Sequence, residues 1–207
     1  MAHPFPEARL LIFAKAPIAG QCKTRLAASI GAQAAAEVQK ELIRRCVSEV
    51  AASPLCPTEL WCAPDCHHPL FQALASEFSF SLFEQQGTDL GQRMFHAMSY
   101  KASPTTVIIG TDCPVLSLAH IKSALLALQQ GDDAVLAPAE DGGYVLLGLK
   151  RVDPHLFSDM AWGTSRVYQQ TAQACTELGY KLHVLETLWD VDREADWQRY
   201  KSLKSIS

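Results

Sequence analysis

The sequence predicts an α/β protein whose mostly parallel mixed sheet is covered by helices on both faces. Short apolar runs without polar alternation recur between longer segments of helical period, as expected for parallel strands buried on both sides. One late turn, Asp141-Gly142, joins two such runs closely enough for an antiparallel hairpin. We therefore expect one three-layer α/β/α domain over residues 1–207, with right-handed crossovers.

Each element follows from a local pattern. β-type apolar runs predict strands over residues 9–14, 59–62, 78–83, 105–110, 133–137, 144–149 and 181–185. Apolar residues at helical spacing predict helices over residues 32–51, 68–76, 118–130 and 193–203. Asp89 or Thr88 is expected to cap a further helix through Met98. One more helix is expected to start at Thr164 or Ser165, which would cap it, and to run to Leu178, where Gly179 ends it.

Composition limits the class of partner. A formal charge of −4 argues against a broad surface for nucleic-acid backbones, so basic residues are expected to act locally. The seven cysteines are odd in number and lie mostly in apolar or helical patterns, which predicts reduced thiols in a cytoplasmic protein. The longest apolar run before Lys15 covers residues 10–14, so we expect neither an export signal nor a membrane span. The oligomeric state is left open.

Basic side chains are concentrated in the loop after the first predicted strand. Lys15, Lys23 and Arg25 lie in a short segment that contains Gly20. At this position an α/β sheet often holds nucleotides, and cationic side chains bind phosphate oxygens, so the loop predicts a phosphorylated ligand. The alternative is an ordinary solvated surface loop. The spacing matches neither a P-loop nor a Gly-x-Gly-x-x-Gly turn, which argues against the ATPases and dehydrogenases that use those motifs.

Two distant carboxylates are candidate metal ligands. Asp112 follows the apolar strand 105–110, and Asp192 precedes the last predicted helix. Each also has a purely local explanation, an Asx turn before Pro114 for Asp112 and a helix N-cap for Asp192. Together with the basic loop they predict a site for Mg²⁺ or Mn²⁺ that also binds substrate phosphates. Asp190 is the alternative second ligand.

Two glycine-containing turns complete the candidate site. A tight turn by itself explains Gly142 and Gly143, and these glycines would also let a ligand approach the backbone closely. The segment 86–93 starts a helix and could line a nucleoside pocket. Trp162 is expected at a helix entry, with an acceptor-facing position as the alternative.

The motifs in these segments resemble those of a bacterial family of uncharacterised, glycosyltransferase-like proteins, the DUF2064 type, which has the GT-A or nucleotide-diphospho-sugar transferase fold. The resemblance spans nearly the whole chain and extends distantly to phospholactate and molybdenum-cofactor guanylyltransferases. The plain Asp-x-Asp metal motif of GT-A glycosyltransferases is missing from the fourth strand. The matching segments are Phe13-Ala14-Lys15-Ala16-Pro17, Lys23-Thr24-Arg25-Leu26, Asp89-Leu90-Gly91-Gln92-Arg93-Met94, Gly110-Thr111-Asp112-Cys113-Pro114, Pro138-Ala139-Glu140-Asp141-Gly142-Gly143-Tyr144 and Asp190-Val191-Asp192.

The resemblance implies roles for particular residues. Lys23 and Arg25 would contact phosphates, while Asp112 and Asp192 would hold the metal. Asp112 and Asp141 would be catalytic, and Asp141 would face the second substrate. The other residues expected to bind substrate are Lys15, Asp89, Gly91, Gly142 and Gly143.

The function expected from the sequence is a metal-dependent transfer from a nucleotide or nucleotide-sugar to a small acceptor. Glycosyl transfer from a nucleoside-diphosphate sugar is the first expectation, because the resembled family carries that label. Nucleotidyl transfer with release of pyrophosphate, acting on a phosphorylated small molecule, is the second, and the basic loop favours it. A non-catalytic nucleotide-binding module is the third.

Overall fold

The computed structural model describes residues 3–101 and 103–204. Within them the chain forms seven strands: β1 (Ala8–Lys15), β2 (Thr58–Ala63), β3 (Ser81–Glu84), β4 (Thr105–Gly110), β5 (Ala134–Pro138), β6 (Tyr144–Leu149) and β7 (Leu182–Val184). The helices in the same ranges are α1 (Thr24–Ile30), α2 (Ala32–Ala52), α3 (Pro69–Phe78), α4 (Leu90–Ser99), α5 (Leu118–Gln129), α6 (Val167–Glu177) and α7 (Glu194–Lys204). A 3₁₀ turn covers Pro154–Leu156.

The strands form one mixed sheet in the order β3-β2-β1-β4-β6-β5-β7. β6 is antiparallel to both β4 and β5, and the other neighbouring pairs are parallel. The predicted hairpin and the predicted mostly parallel sheet are therefore confirmed. The carboxyl ends of β1, β2, β4 and β5 consequently meet at one edge, where ligands of such sheets usually bind.

The core lies on both faces of the sheet. Alternate residues of β1 point to opposite faces, so Leu10 and Ile12 pack under α2, α3 and α5, whereas Leu11 packs under α4 and α6. Double coverage explains why the strand reads as one continuous apolar run. A third cluster joins α1, α2 and α7 and includes Leu26 and Val191, which brings the first loop close to the chain before α7.

Some predicted boundaries were wrong, and α1 was not predicted. α3 continues to Phe78, so β3 starts at Ser81 rather than at residue 78. Helix α6 begins at Val167 without a side-chain cap, because Thr164 instead accepts a turn hydrogen bond from the N–H of Arg166 at 3.3 Å. α1 spans only seven residues before Gly31, too short to show a helical period.

Two other local expectations, both about helix ends, are confirmed. Asp89 caps α4, its Oδ1 accepting from the N–H of Gln92 at 2.8 Å. Gly179 follows α6 with a φ of 67°, the left-handed conformation that ends many helices. The seven cysteines are free thiols. In the described ranges no helix is both long enough and apolar enough to cross a bilayer.

Candidate functional site

Two acid-bearing segments meet at the carboxyl edge of the sheet. Asp112 lies just beyond β4, and the segment 188–192 runs past it toward α7. The N–H of Val191 donates to the carbonyl of Asp112 at 3.0 Å. The same segment is fixed to the β5–β6 turn, because the N–H of Glu140 donates to the carbonyl of Leu188 at 2.9 Å. Residues almost 80 positions apart thus share one short stretch of surface.

Lys23 joins the first loop to both acid-bearing segments. Its side chain is only 2% exposed, and its Nζ lies 3.2 Å from Oδ2 of Asp112. The same ammonium donates to the carbonyl of Val191 at 2.7 Å. Lys23 also adopts a left-handed backbone with a φ of 43°, which is uncommon for a residue with a side chain. The ammonium to which the resemblance assigned a phosphate contact is thus buried and bound to Asp112 and Val191.

Asp192 already has a cationic partner. Its Oδ2 lies 2.7 Å from a terminal nitrogen of Arg25, and this contact raises the pKa of the Arg25 guanidinium. The expected capping role falls to Asp196, whose Oδ2 accepts from the N–H groups of Asp192 and Arg193 at 3.1 and 2.8 Å. Both site residues predicted here, Arg25 and Asp192, therefore lie at the site but are bound to each other.

Asp190 is the acid that faces the other carboxylates. Burial and the nearby carboxylates of Asp141 and Asp112 raise the pKa of Asp190 to about 6. Oδ1 of Asp112 is buried and has no hydrogen-bond partner among the described residues. Asp190 was only the alternative ligand in the sequence, because an Asp-x-Asp pair does not reveal which member turns inward.

The β5–β6 turn combines a tightly packed glycine with one that lines a cavity. The N–H of Gly143 donates to Oδ1 of Asp141 at 2.8 Å, an Asx turn that orients this carboxylate. Gly142 has a φ of +89°, and a Cβ there would overlap the backbone of Ser165. The N–H of Tyr168 also donates to the carbonyl of Gly142 at 2.9 Å. Packing against the start of α6 thus explains Gly142, whereas Gly143 lines a cavity.

Three cavities meet at Asp190. The polar cavity, of about 350 Å³, includes Lys15, Gln39, Gln85, Arg93 and Asp112 in its lining. The apolar cavity, of about 240 Å³, includes Phe13, Leu90, Met94, Asp141, Trp162 and Val167. The acidic cleft, of about 460 Å³, includes Arg25, Asp141, Asp192, Arg193 and Asp196. Since Asp190 lines all three, a ligand crossing from one to another passes this carboxylate.

The polar cavity contains Gln85, which lies outside the predicted site, and Arg93, which lies in the segment 86–93 that the sequence offered as the lining of a nucleoside pocket. Nε2 of Gln85 donates to the carbonyls of Trp61 and Ala14 at 2.9 and 3.3 Å, which leaves its amide oxygen as the group for a ligand. Nε of Arg93 donates to the carbonyl of Gly87 at 3.0 Å, which turns its guanidinium toward the cavity that it lines. The position of Gln85 just after β3 was a signal that sequence reasoning did not use.

Asp89 and Gly91 have structural roles. Asp89 caps α4, as described above. A Cβ on Gly91 would lie 2.6 Å from Nε1 of Trp162 and 2.7 Å from the carbonyl oxygen of Phe157. Gly91 therefore lets Trp162 pack against α4.

The carboxylates fit a cation that is shared with a phosphorylated ligand. In residues 3–101 and 103–204, no three His, Cys, Asp or Glu side chains form a complete ligand set. Mg²⁺, however, is often held by one or two carboxylates together with phosphate oxygens and water. The unpartnered Oδ1 of Asp112 and the repulsion around Asp190 are both features that a bound cation would relieve.

Comparisons with solved structures support the fold. A protein from Desulfovibrio desulfuricans G20, described provisionally as a nucleotide-diphospho-sugar transferase, is 29% identical with a TM-score of 0.82 over 91% of this chain and 83% of that chain. A cytidylyltransferase from Leptospira borgpetersenii serovar Hardjo-bovis (strain JB197) is 12% identical with a TM-score of 0.66, covering 98% and 88%. Glucosyl-3-phosphoglycerate synthase from Mycobacterium tuberculosis, solved with Mn²⁺, UDP and glucosyl-3-phosphoglycerate, is 10% identical with a TM-score of 0.58, covering 96% and 77%.

The family follows from the sequence comparison. Residues 46–164, more than half of the chain, match the family described as "Uncharacterized protein conserved in bacteria (DUF2064)". No curated protein matches the chain. The predicted fold is confirmed by the structural likenesses, and the likeness to the D. desulfuricans protein confirms the predicted transferase class. This chain therefore belongs to the bacterial DUF2064 family and has the GT-A fold of the nucleotide-diphospho-sugar transferases.

Proposed function

We propose that this protein transfers a sugar from a nucleoside-diphosphate sugar to a small acceptor, with the help of a divalent cation. The observation that carries the proposal is the meeting of the polar and apolar cavities at Asp190, beside Asp112. A donor with a charged nucleotide part and an acceptor with an apolar part would then meet at the carboxylates. Such positioning lowers the barrier to transfer by holding the reacting groups together.

The nucleotide would occupy the polar cavity. Lys15 and Arg93 supply positive charge there, and a guanidinium can bind phosphate oxygens in a bidentate way. The amide oxygen of Gln85 is available to accept a hydrogen bond from a ring N–H or amino group of the base. In this arrangement Lys15 takes over the phosphate contact that the sequence assigned to Lys23.

Asp112 and Asp190 would hold Mg²⁺ or Mn²⁺. When bound, the cation would neutralise charge that develops on the departing diphosphate. Lys23 keeps Asp112 in place, and Arg25 engages Asp192 in the neighbouring acidic cleft. Asp190 replaces Asp192 as the second ligand in the proposal, because the carboxylate of Asp192 is already bound to a guanidinium.

The charge of the apolar cavity favours glycosyl over nucleotidyl transfer. Its described lining contains Asp141 and Asp190 but no Lys, Arg or His. In nucleotidyl transfer to a phosphorylated compound, the attacking group is a phosphate oxygen, which the carboxylate of Asp141 would repel, since the cation would compensate the charge of Asp190. A neutral hydroxyl acceptor meets no such repulsion.

Nucleotidyl transfer remains the second candidate, because the acidic cleft contains two guanidinium groups. Arg25 and Arg193 both line this cleft, and together they could bind a phosphorylated acceptor next to Asp190. The two reactions differ in what leaves: a nucleoside diphosphate in glycosyl transfer, and pyrophosphate in nucleotidyl transfer.

The test uses purified protein with a panel of nucleotide sugars and nucleoside triphosphates, with and without Mg²⁺ or Mn²⁺. Thermal stabilisation identifies the bound nucleotide, since a ligand selective for the folded state raises the melting temperature. Products are then identified by phosphorus NMR in mixtures with simple alcohols and sugar phosphates. Release of a nucleoside diphosphate supports the proposal, and pyrophosphate supports the second candidate. Metal-independent binding that survives Asp112→Asn, with no turnover on the whole panel, would establish the non-catalytic module instead.

A further inference from the structure

The apolar cavity adjoins the proposed nucleotide site and shares part of its lining with it. Its walls come from β1, α4, β4, β6 and the segment 162–164, and most of its side chains are apolar. Phe13, Met94 and Val167 form much of this apolar lining. With a volume of about 240 Å³, the cavity has room for a small body such as a single ring. It opens beside Asp141 and Asp190, where the proposed transfer takes place.

Gly91 and Trp162 form a matched pair in the wall of this cavity. Gly91 is the second residue of α4 and presents no side chain to the indole. A Cβ at this position would lie 2.6 Å from Nε1 and 2.7 Å from Cζ2 of Trp162. The glycine therefore allows the indole to lie against α4 while it lines the cavity, and a flat indole is a suitable surface for an apolar ring or the apolar face of a sugar.

The charged groups of the cavity are carboxylates alone. Asp141 uses Oδ1 to accept from the N–H of Gly143, and its Oδ2 makes no described hydrogen bond. A carboxylate oxygen in this position can accept a hydrogen bond from a hydroxyl group. It repels a phosphate or a carboxylate, and the described lining supplies no Lys, Arg or His to offset that repulsion. Because Asp190 would share the proposed divalent cation, the repulsion in this cavity comes from Asp141.

We infer that the apolar cavity binds the acceptor, and that the acceptor is a hydroxyl compound with an apolar face and without a phosphate or carboxylate group. The inference rests on the proposed function. In the transfer, the acceptor oxygen bonds to the anomeric carbon of the donor, and the bond from that carbon to the diphosphate oxygen breaks with its electron pair. The hydroxyl proton passes to the carboxylate of Asp141, which is positioned as the general base.

The test compares two probes with the same apolar body, benzyl alcohol and benzyl phosphate. Their dissociation constants are measured by saturation-transfer NMR with the full chain. Benzyl alcohol is expected to bind at least about tenfold more tightly than benzyl phosphate, because like charges that face each other cost several kcal/mol. Equal binding, or tighter binding of benzyl phosphate, would overturn the inference.

Variants locate the site. Trp162→Phe is expected to weaken benzyl alcohol binding severalfold, whereas Trp197→Phe, made on α7 away from the cavity, leaves it unchanged. Gly91→Ala displaces the indole and is expected to weaken binding in the same direction. Asp141→Asn removes the negative charge and keeps the shape, so the preference for the alcohol over the phosphate is expected to shrink. An unaltered preference in Asp141→Asn, or unaltered affinity in both Trp162→Phe and Gly91→Ala, contradicts the assignment.

A separate nucleotide titration distinguishes the two levels of the proposal. If nucleotide sugars stabilise the protein and the probe preference is absent, the acceptor inference fails alone. If the probe preference holds and no nucleotide or nucleotide sugar stabilises the protein, the proposed function fails. In that case the cavity is not an acceptor site either, and the experiment shows only that the cavity prefers an uncharged ligand.

Discussion

The buried ammonium of Lys23 lies 3.2 Å from the Asp112 carboxylate and also binds the carbonyl of Val191. One side chain therefore connects the loop after β1, the loop after β4 and the segment that carries Asp190. The position of the two proposed metal ligands depends on this contact.

Asp112→Asn is expected to abolish metal-dependent turnover and to leave the fold intact. The amide has the same shape but lacks the charge that binds a cation, and losses of about a hundredfold or more are typical for a group that stabilises charge in the transition state. Turnover is measured against Mn²⁺ concentration, with circular dichroism as the check on folding. Unchanged activity would remove Asp112 from the mechanism.

Lys23→Met is expected to lower the free energy of unfolding by about 1–3 kcal/mol, because the buried carbonyl of Val191 and Asp112 lose their donor. Lys15→Met serves as the matched control. Its exposed side chain lines the polar cavity, so this change should weaken nucleotide binding with little effect on stability. Urea denaturation and nucleotide titration of both variants provide the comparison. Equal stabilities of the two variants would show that the buried contact contributes nothing to the fold.

Asp190→Asn is expected to reduce metal affinity more than Asp192→Asn does. Asp190 faces Asp112 and Asp141, whereas Asp192 is bound to Arg25 at 2.7 Å. Binding of Mn²⁺ is measured for both variants by electron paramagnetic resonance. The reverse order would restore Asp192 as the second ligand, as the sequence alone indicated.

Gly142→Ala is expected to destabilise the protein more than Gly179→Ala. Both glycines have positive φ, but a Cβ on Gly142 overlaps the Ser165 backbone while one on Gly179 meets open space. The overlap should add about 1–3 kcal/mol to the backbone strain that the two changes share. Thermal and urea unfolding of both variants measure the difference. Similar losses of stability in the two variants would mean that backbone strain alone accounts for the effect of both substitutions.

Buried thiols predict a loss of stability at alkaline pH. Burial raises the pKa of Cys46 and of Cys56 from near 9 to about 12. As the pH rises, the thiols therefore lose their protons in the unfolded chain before they lose them in the folded chain. The stability of the folded chain is unaffected by these thiols below about pH 9 and declines as the pH rises toward 12. Each such thiol contributes a slope of at most about 1.4 kcal/mol per pH unit.

Cys56→Ala isolates this effect. The variant starts from a lower stability, because it leaves a small cavity, but its stability is expected to fall less steeply between pH 9 and 11 than that of the native chain. Urea denaturation across this pH range measures both slopes. Parallel curves would show that the Cys56 thiol does not contribute to the alkaline loss.

Local patterns in the sequence determined the order of the elements. The continuous apolar run of β1, the hairpin between β5 and β6, the Asp89 cap and Gly179 after α6 each depend on neighbours a few residues away. The motifs also predicted that their side chains share one edge of the sheet, because side chains that follow parallel strands lie at the same edge whatever the strand order. α1 was missed because it has too few turns to display a period, and the extension of α3 shifted the start of β3.

The tertiary structure alone decided which of those residues face one another. Lys23, Asp112 and Val191 are brought together by the sheet and the α1–α2–α7 cluster, and no local propensity encodes contacts over such separations in the chain. The choice between Asp190 and Asp192 likewise depended on where Arg25 lies. Whether a polar side chain binds a ligand or another residue is set by its partners in space, and these exist only when the chain is folded.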